Sequence, residues 1–375
     1  MTKITAAVLE QSGDNPRPYA RSAPLALRSL TLDAPRPGEL LIRIDAAGLC
    51  HSDLSVVNGD RPRPMPMAIG HEATGIVEQL GDPAETGFAI GDRVILAFLP
   101  ACGECIRCQS GEAYLCASAA AANGEGRMMR GGCRLHDGDR DVKHHLGISA
   151  FATHAVVDRR SAVKVDRDIP PEIAALFGCA VLTGVGAVMN SAQVRPGESV
   201  LVYGLGGVGL AALLGARASG ATPIVAIDPV EEKREIAREL GALAFAPDQL
   251  EEAKEAFGAD RGADVVIESV GRADVLRVAY EAGRRGGRIV TVGLPNPRET
   301  LSLPAVSLVA EGKTLIGSYM GSAIPARDIP RYIALWKAGL LPVERLLTSI
   351  HPLGEINLLL DRLAEGRALR QIVTP

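Results

Sequence analysis

The chain has 375 residues, a length that predicts two or three domains. Apolar residues make up 47% and charged residues 22%, as in globular proteins, and the net charge of −4 gives no electrostatic reason to expect a nucleic-acid or membrane-surface partner. The seven cysteines form irregular clusters, which argues against a secreted disulfide framework and favours metal-bound thiolates in a reducing cytoplasm.

The amino-terminal part, up to about residue 170, alternates short β-like runs with turns. Glycine–aspartate pairs and a proline-rich segment at 61–66 mark the breaks. The clearest β-like runs are Leu40–Ile44, Ile76–Gln79, Arg93–Ala97 and Phe151–Val157. This part therefore predicts a β-rich, irregular domain, in which Ala117–Ala122 is expected to be a loop of small residues.

Two uncharged stretches, Ile173–Val194 and Ser199–Ala216, are long enough to be tested as membrane spans. The first contains Asn190, Ser191 and Gln193, and the second contains a turn-like cluster of glycines. The amino terminus has no secretory apolar region. We therefore expect both stretches to lie in a buried α/β core, and no membrane partner.

From about residue 170 the pattern changes to alternating helices and strands. A helix is predicted to begin at Pro170-Pro171, and further helices around Ile329–Ala338 and Ile356–Glu365. Between them, strands are predicted at Ser199–Tyr203, Pro223–Asp228, Asp264–Glu268 and Arg288–Val292, and helices within Gly204–Ser219, Glu231–Leu240 and Ala273–Ala282. Such alternation predicts a doubly wound parallel sheet.

Four cysteines lie close together in the amino-terminal part: Cys102, Cys105, Cys108 and Cys116. Gaps of two residues let successive sulfurs point at one ion, and a tetrahedral zinc accepts four thiolates. No coordination position then remains open, so a zinc here is predicted to be structural. An iron–sulfur cluster is the main alternative, because spacing alone does not exclude it.

A second set of candidate ligands is dispersed: Cys50, His71 and Cys179. One histidine and two cysteines match a catalytic zinc that keeps a position for water or substrate. Glu72 is placed to approach that metal, and Asp53 to fix the tautomer of His71 through its far nitrogen. Taken one by one, each residue is more often structural, so spacing alone makes this set a weak signal.

A glycine loop follows the strand at Ser199–Tyr203. It reads Gly204-Leu205-Gly206-Gly207-Val208-Gly209, and a helix follows it. These glycines permit a tight turn and close approach of a pyrophosphate to the helix amino terminus. Asp228, at the end of the next strand, can bind ribose hydroxyls and would repel a 2′-phosphate. The loop therefore predicts a dinucleotide site that favours NAD over NADP.

Together these features resemble the medium-chain, zinc-containing alcohol dehydrogenase family, and within it the bacterial class III-like branch. The resemblance covers almost the whole chain. It is carried by Gly70–Val77, Gly91–Val94, the four cysteines, Cys179, the glycine loop, and Leu369-Arg370.

The resemblance implies an α/β fold with a GroES-like, β-rich catalytic domain built from both chain ends and a Rossmann domain between them. The implied ranges are 1–178 for the catalytic domain, with the zinc lobe at 100–117, then 179–320 for the Rossmann domain and 321–375 for the return to the catalytic domain.

The same resemblance implies roles for individual residues. Cys50, His71 and Cys179 hold the catalytic zinc, and Ser52 takes the alcohol proton and passes it toward the ribose and solvent. The implied cofactor contacts outside the glycine loop are Asp228 and Lys233 at the adenosine ribose, His51 and Arg370 at the pyrophosphate, and Thr183.

Two positions depart from the family pattern. Ser55 stands where many relatives have the histidine that ends the proton relay, so the relay must end in water, in Ser55 or through His51. Ala120 stands where relatives that oxidise a formaldehyde–glutathione adduct have an arginine, which disfavours that substrate without excluding another thiol.

The substrate pocket is less strongly predicted. Phe98 is expected to line it, and by looser alignment it is joined by His145, Leu146, Leu294 and Tyr319. For each of these residues ordinary packing is an equal alternative. His144-His145 is not expected to form a further metal site, because adjacent side chains diverge, and Cys133 is left as a loop thiol without a role.

The favoured function is reversible oxidation of a primary or secondary alcohol by NAD, with two zinc ions per chain. The alternatives are a thiol-dependent (hydroxymethyl-thiol) formaldehyde dehydrogenase, a zinc-free enone reductase, and a non-catalytic protein that binds zinc and NAD. The enone reductase is disfavoured because the chain carries the dispersed ligand set. An edge strand at Thr314–Tyr319 suggests a homodimer, or a homotetramer.

Overall fold

The computed structural model describes residues 1–84, 87–260 and 262–375. They form two compact units. The first consists of Met1–Cys179, Ile324–Ile329 and Leu347–Pro375, and the second of Ala180–Ala323 and Pro330–Leu346.

The strands are β1 (Thr2–Leu9), β2 (Leu25–Leu32), β3 (Glu39–Leu49), β4 (Met67–Ala68), β5 (Ala73–Leu80), β6 (Arg93–Leu96), β7 (Leu135–Asp137), β8 (Arg140–His144), β9 (His154–Asp158), β10 (Ala162–Val165), β11 (Val200–Tyr203), β12 (Ile224–Ile227), β13 (Leu243–Phe245), β14 (Ala263–Glu268), β15 (Gly283–Thr291), β16 (Thr314–Gly317), β17 (Leu347–Pro352) and β18 (Arg370–Thr374).

The α-helices are α1 (Tyr19–Ser22), α2 (His51–Val57), α3 (Ile106–Gln109), α4 (Ala117–Glu125), α5 (Pro171–Leu176), α6 (Ala180–Gly186), α7 (Gly207–Ala218), α8 (Glu231–Glu239), α9 (Leu250–Glu255), α10 (Ala273–Ala282), α11 (Ala305–Ala310), α12 (Pro325–Lys337) and α13 (Ile356–Ala364). A short π-helix, Ala187–Ala192, follows α6. Among the described residues, no helix is long and apolar enough to cross a membrane.

The first unit is β-rich. Strands β1, β2, β7, β8 and β4 close into a small barrel, and a second sheet has the order β10-β6-β5-β3-β18-β17, with β9 also paired to β3. Alternate residues of β1 and β2, such as Ile4, Val8 and Leu30, are buried in the barrel core, as the period of a strand requires. Strand β18 joins β3 near Leu49, so the carboxyl terminus belongs to the same unit as the amino-terminal strands.

The second unit is a six-stranded parallel sheet with the order β13-β12-β11-β14-β15-β16. The order reverses between β11 and β14, which are neighbours in the sheet although two strands separate them in sequence. In such sheets ligands bind at the carboxyl ends of the strands where this reversal occurs. The glycine loop follows β11 and therefore lies at that position.

The predicted fold class, a GroES-like β-rich domain with a Rossmann-type parallel sheet, is confirmed. Two details differ from the predictions. Pro330–Leu346 belongs to the second unit and not to the first, because the short helical turn Val343–Leu346 packs against α7 and buries Val343 and Leu346.

The second difference is that Ala117–Ala122 is not a loop but most of helix α4. Alanine has the highest intrinsic helix propensity, and the run of alanines outweighs their small size. Helix α4 ends at Gly126, which adopts the left-handed conformation (φ 64°) typical of a helix carboxyl terminus.

Candidate metal centres and cofactor site

Four metal-binding side chains meet inside the first unit: Cys50, His71, Glu72 and Cys179. Their candidate ligand atoms all lie within 4.8 Å of one another, and all four residues are buried. Cys50 lies between β3 and α2, His71 and Glu72 immediately precede β5, and Cys179 follows α5. The structure thus brings together the three dispersed ligands that the sequence proposed, with Glu72 beside them.

Asp53 organises this cluster from the first turn of α2. Its Oδ1 lies 2.9 Å from Nδ1 of His71, and its Oδ2 accepts a hydrogen bond of 2.9 Å from the backbone amide of Cys50. Burial would raise the pKa of Asp53, but the charges and hydrogen bonds of His71 and His145 outweigh it and lower that pKa. The ionised carboxylate directs Nε2 of His71 toward the cluster, as in metal sites where a carboxylate binds the far nitrogen of a ligating histidine.

Glu72 is held close to the cluster without a hydrogen bond. Both of its carboxylate oxygens are buried and have no hydrogen-bond partner among the described residues. The guanidinium of Arg370 lies near it, with Nη1 3.9 Å from Oε2 of Glu72, and the same Nη1 donates to the carbonyl of Leu49 at 3.1 Å. Gly48 makes room for the carboxylate, since a Cβ there would lie 2.5 Å from Oε1 of Glu72.

The protonation pattern of the cluster is that of a cation site. The hydrogen bond from Cys179 lowers the pKa of Cys50, while burial and the charges of Cys50 and Asp53 raise the pKa of Glu72 to about 7. Burial lowers the pKa of His71, but Asp53 and Cys50 outweigh it and raise that pKa well above its usual value. The negative charge of the donors thus raises the proton affinity of Glu72 and His71. A zinc ion held by two thiolates and an imidazole would balance that negative charge in place of the protons.

The predicted pocket residues fall in both units. Phe98 packs edge-on against His71, with ring centroids 5.5 Å apart, and His145 does so from another direction at 5.3 Å. Leu146 follows His145 and is buried. Leu294, which is half exposed, and Tyr319, which is half-buried, belong to the second unit, so their part in the pocket stays a prediction.

Helix α2 carries the predicted proton-relay residues. Ser52 is half-buried in its first turn, and His51 is exposed beside it. Ser55, one turn later, donates its hydroxyl proton to the carbonyl oxygen of His51 at 2.9 Å. This bond occupies the only proton of Ser55.

The four lobe cysteines also meet at one point. Their sulfurs lie within 4.8 Å of one another, with Cys105 and Cys108 at 3.5 Å and Cys102 and Cys108 at 3.8 Å. Four zinc–sulfur bonds of ~2.3 Å in a tetrahedron place the sulfurs about 3.8 Å apart. The spacing therefore fits one ion, whereas a cluster of two or four irons would divide the thiolates among its irons and hold those on different irons further apart.

Backbone amides prepare the lobe for negative charge. The amides of Cys105 and Glu104 donate to the sulfur of Cys102 at 3.2 and 3.4 Å, and these bonds lower the pKa of Cys102 to about 6. Backbone N–H donors stabilise a thiolate over a thiol. Cys133 lies outside the lobe, buried in a loop, with its sulfur 3.9 Å from Nζ of Lys143.

The glycine loop forms the turn that the sequence predicted. Gly204 has φ 86°, and a Cβ at Gly209 would lie 1.7 Å from the carbonyl oxygen of Gly204, so both positions require glycine. A Cβ at Gly206 would meet nothing within 4 Å, which leaves open space where a pyrophosphate would approach. Gly206 precedes α7, and Gly207 and Val208 form the start of this helix, whose free amides favour an anion.

Asp228 lies beside the glycine loop and binds its backbone. Its Oδ2 accepts a hydrogen bond of 2.6 Å from the amide of Leu205, and its Oδ1 accepts one of 2.9 Å from the amide of Val230. The carboxylate is 5% exposed and keeps lone pairs for further donors. Lys233 is half-buried in α8, and Thr183 is buried in α6 of the same unit.

The sequence patterns did not identify one residue that organises this edge of the sheet, Glu268. Glu268 ends β14, is 1% exposed, and accepts hydrogen bonds of 2.7 Å from the amides of Val270 and Gly271 and of 2.6 Å from the hydroxyl of Thr291. It thereby joins the loops that follow β14 and β15. The available signal was a carboxylate ending the apolar run Val265–Ile267, which burial would exclude without a partner.

His144 and His145 point to different partners. Nε2 of His144 accepts a hydrogen bond of 2.9 Å from the amide of Arg134, whereas Nδ1 of His145 lies 3.3 Å from Oδ1 of Asp53. Side-chain divergence was therefore expected correctly. The expectation that nothing near these histidines completes a metal-binding set was wrong, because Asp53, His71 and His145 form a buried group whose candidate ligand atoms lie within 4.8 Å of one another.

Comparison with known proteins agrees with this geometry. Residues 36–167 match the alcohol dehydrogenase GroES-like domain, and residues 207–338 match the zinc-binding dehydrogenase domain. The chain is 37% identical to an NDMA-dependent alcohol dehydrogenase of Amycolatopsis methanolica, over 99% of this chain and 98% of the relative. The chain belongs to the zinc-containing medium-chain alcohol dehydrogenase family.

Two further proteins are similar over nearly the whole chain. The crystal structure of benzyl alcohol dehydrogenase from Acinetobacter calcoaceticus has 32% identity and a TM-score of 0.91, covering 100% of this chain and 99% of that one. An S-(hydroxymethyl)glutathione dehydrogenase of Escherichia coli is 34% identical over 95% of this chain and 97% of its own length. The chain is therefore an oxidoreductase of the zinc-dependent alcohol dehydrogenase class, which acts on a small alcohol with a nicotinamide cofactor.

Proposed function

We propose that this enzyme oxidises a primary or secondary alcohol reversibly with NAD, using a catalytic zinc held by Cys50, His71 and Cys179. The observation that carries the proposal is the convergence of these three buried ligands beside the carboxylate of Glu72, whose oxygens have no hydrogen-bond partner in the described part of the chain. Zinc bound there supplies the electrophile that polarises the alcohol oxygen, and the nicotinamide accepts the hydride.

The proton of the alcohol leaves through helix α2 in this proposal. Ser52 accepts it from the substrate hydroxyl and, because Ser52 is half-buried, passes it outward. His51 is the next exposed group on the helix and carries the proton to solvent. Ser55 does not end the relay, since its hydroxyl proton is donated to the carbonyl of His51. Asp53 keeps His71 in the tautomer that the metal requires.

NAD is the proposed cofactor, rather than NADP, because Asp228 puts a buried carboxylate beside the glycine loop. In this proposal Asp228 and Lys233 contact the adenosine ribose, His51 and Arg370 the pyrophosphate, and Thr183 the cofactor from α6. A second zinc in the four-cysteine lobe is proposed to be structural, because four thiolates leave it no open coordination position.

A thiol-dependent formaldehyde dehydrogenase is the second candidate. It is favoured by the 34% identity to an S-(hydroxymethyl)glutathione dehydrogenase, and disfavoured by Ala120, an exposed helix residue where an arginine would be expected. A non-catalytic zinc- and NAD-binding protein is the least favoured alternative, because a structural role needs no open metal site.

One screen separates these functions. NADH formation is measured over aliphatic, aromatic, terpenoid and hydroxymethyl-thiol alcohols, with zinc quantified per chain. The proposal predicts turnover of free alcohols without added thiol. Activity with formaldehyde that appears only on adding a low-molecular-weight thiol selects the second candidate, and no turnover despite bound zinc and NAD selects the third.

A homodimer is proposed through strand β16, the edge of the parallel sheet. Helix α11, which precedes it, exposes Val306, Leu308 and Val309, with Val309 86% exposed. Exposed apolar side chains beside an unpaired edge favour a protein interface. Sedimentation is expected to show a dimer, or a tetramer built from it, and Val309→Glu to weaken it; a wild-type monomer would reject the proposal. We place the enzyme in the cytoplasm because none of its seven cysteines forms a disulfide.

A further inference from the structure

His145 reaches the metal cluster from outside it. The residue follows β8, is 1% exposed, and lies with Nδ1 3.3 Å from Oδ1 of Asp53. The same Oδ1 lies 2.9 Å from Nδ1 of His71. The two imidazole rings stand edge to face at an interplanar angle of 81°. His145 and His71 therefore share one carboxylate oxygen.

The chemistry of this contact fixes where the proton lies. An ionised carboxylate only accepts hydrogen bonds, so the ring nitrogen that faces it must carry a proton. Asp53 receives N–H groups from His71 and from the backbone of Cys50, and Nδ1 of His145 faces the same oxygen at 3.3 Å as an electrostatic contact without an aligned hydrogen bond. Each restrains the carboxylate, and the carboxylate in turn restrains the ring of His71 and the start of α2, where Cys50 lies.

A strained turn holds His145 in this place. Leu146 and Ser149 have φ of 52° and 56°, although neither is glycine. A left-handed conformation is unfavourable for any residue that carries a Cβ. The turn is held by the backbone amide of His145, which donates to the hydroxyl of Ser149 at 3.0 Å. Such strain persists only where the surroundings impose it, and it concentrates at functional sites.

We infer that His145 is a positioning residue for the catalytic metal, acting through Asp53 to hold His71 and Cys50 in the geometry that binds zinc. The inference rests on the proposed function, since it requires a zinc at Cys50, His71 and Cys179. It does not make His145 a ligand: the same carboxylate oxygen lies between the two histidines, and the role of His145 is to orient that oxygen.

The test compares two variants of nearly equal shape. His145→Asn keeps an N–H donor near the position of Nδ1, whereas His145→Leu keeps the branching and loses the donor. Zinc release from the full-length protein to a chelator is followed by absorbance, and the catalytic phase is the one that coincides with loss of alcohol oxidation. Substitutions of residues that orient metal ligands weaken metal binding by roughly 10–100-fold, so His145→Leu is expected to speed this phase about tenfold.

His145→Asn is expected to release zinc close to the wild-type rate, and release from the four-cysteine lobe is expected to be unchanged in both variants. Equal acceleration in both variants would show that the ring packs without positioning and would overturn the inference, as would unchanged release in both. A wild-type protein with no zinc phase linked to activity would instead refute the proposed function. Thermal unfolding of both variants controls for loss of folding.

Discussion

Cofactor choice gives a prediction that can be worked out from Asp228. The substitution Asp228→Asn keeps the size of the side chain but replaces one acceptor oxygen with an NH₂ group. In the wild type both oxygens accept backbone amides, from Leu205 and Val230. The variant can accept only one of them, and its NH₂ group must face the other donor or turn toward the ribose.

The expected loss follows from the hydrogen bonds that disappear. A hydrogen bond to a charged group contributes about 1.5–3 kcal/mol, so loss of one ribose contact lowers kcat/KM for NAD by roughly 10–150-fold. The unpaired amide costs a further ~1–3 kcal/mol of folding free energy. Removing the negative charge also removes its repulsion of a 2′-phosphate, so kcat/KM for NADP is expected to stay the same or to rise.

The assay measures initial rates with NAD and NADP for the wild type and Asp228→Asn at one alcohol concentration, with urea unfolding as the stability control. The ratio of the two kcat/KM values should fall by at least tenfold. A wild type that prefers NADP, or a variant whose ratio is unchanged, would refute the reasoning that Asp228 selects the cofactor.

Three further predictions concern stability and metal content. Cys116→Ser is expected to lose the lobe zinc, to keep one zinc per chain and to unfold at a lower temperature. Metal content is measured by mass spectrometry, and two zinc ions per chain in the variant would contradict the prediction. In the wild type the buried guanidinium of Arg134 lies 2.6 Å from the carboxylate of Glu39. Glu39→Leu removes that carboxylate and should lower the free energy of unfolding, measured in urea, by about 3–5 kcal/mol. Adding Arg134→Met should restore most of that loss, and an equally unstable double variant would argue against the ion pair as its cause. Burial and the charge of Arg134 lower the pKa of His144 to about 3, whereas its pKa in the unfolded chain is ~6.5. Between these two pH values the unfolded chain binds a proton at His144 and the folded chain does not. Stability should therefore fall as pH drops below about 6.5, by ~2 kcal/mol at pH 5. His144→Gln, which retains an acceptor for the amide of Arg134, should flatten that dependence, and parallel curves would contradict the assignment.

Local patterns carried much of the fold. The alternation of apolar strands and helices after residue 170 predicted the parallel sheet, because the apolar pattern that indicates each element lies within that element's own sequence. The glycine loop was equally local, since the tight turn between β11 and α7 needs glycine at Gly204 and Gly209 whatever surrounds it. Helix α4 was misjudged because small side chains were taken as a loop signal, although alanine favours helix.

The site depended on contacts that no local pattern reveals. Cys50, His71 and Cys179 were weak candidates by spacing and gained weight only through resemblance to a family. The contact between His145 and Asp53 brings together residues on different elements, one after β8 and one in α2. Neither residue type predicts the other, so only the folded chain shows that they meet.

The most direct test of the account is the anomalous diffraction of the crystallised enzyme at the zinc absorption edge. We predict two peaks per chain, one within the four-cysteine lobe and one bound to Cys50, His71 and Cys179, at ~2.3 Å from the sulfurs and ~2.0–2.1 Å from the imidazole nitrogen. A peak in the lobe alone, with the three dispersed ligands holding no metal in an active enzyme, would contradict the central claim.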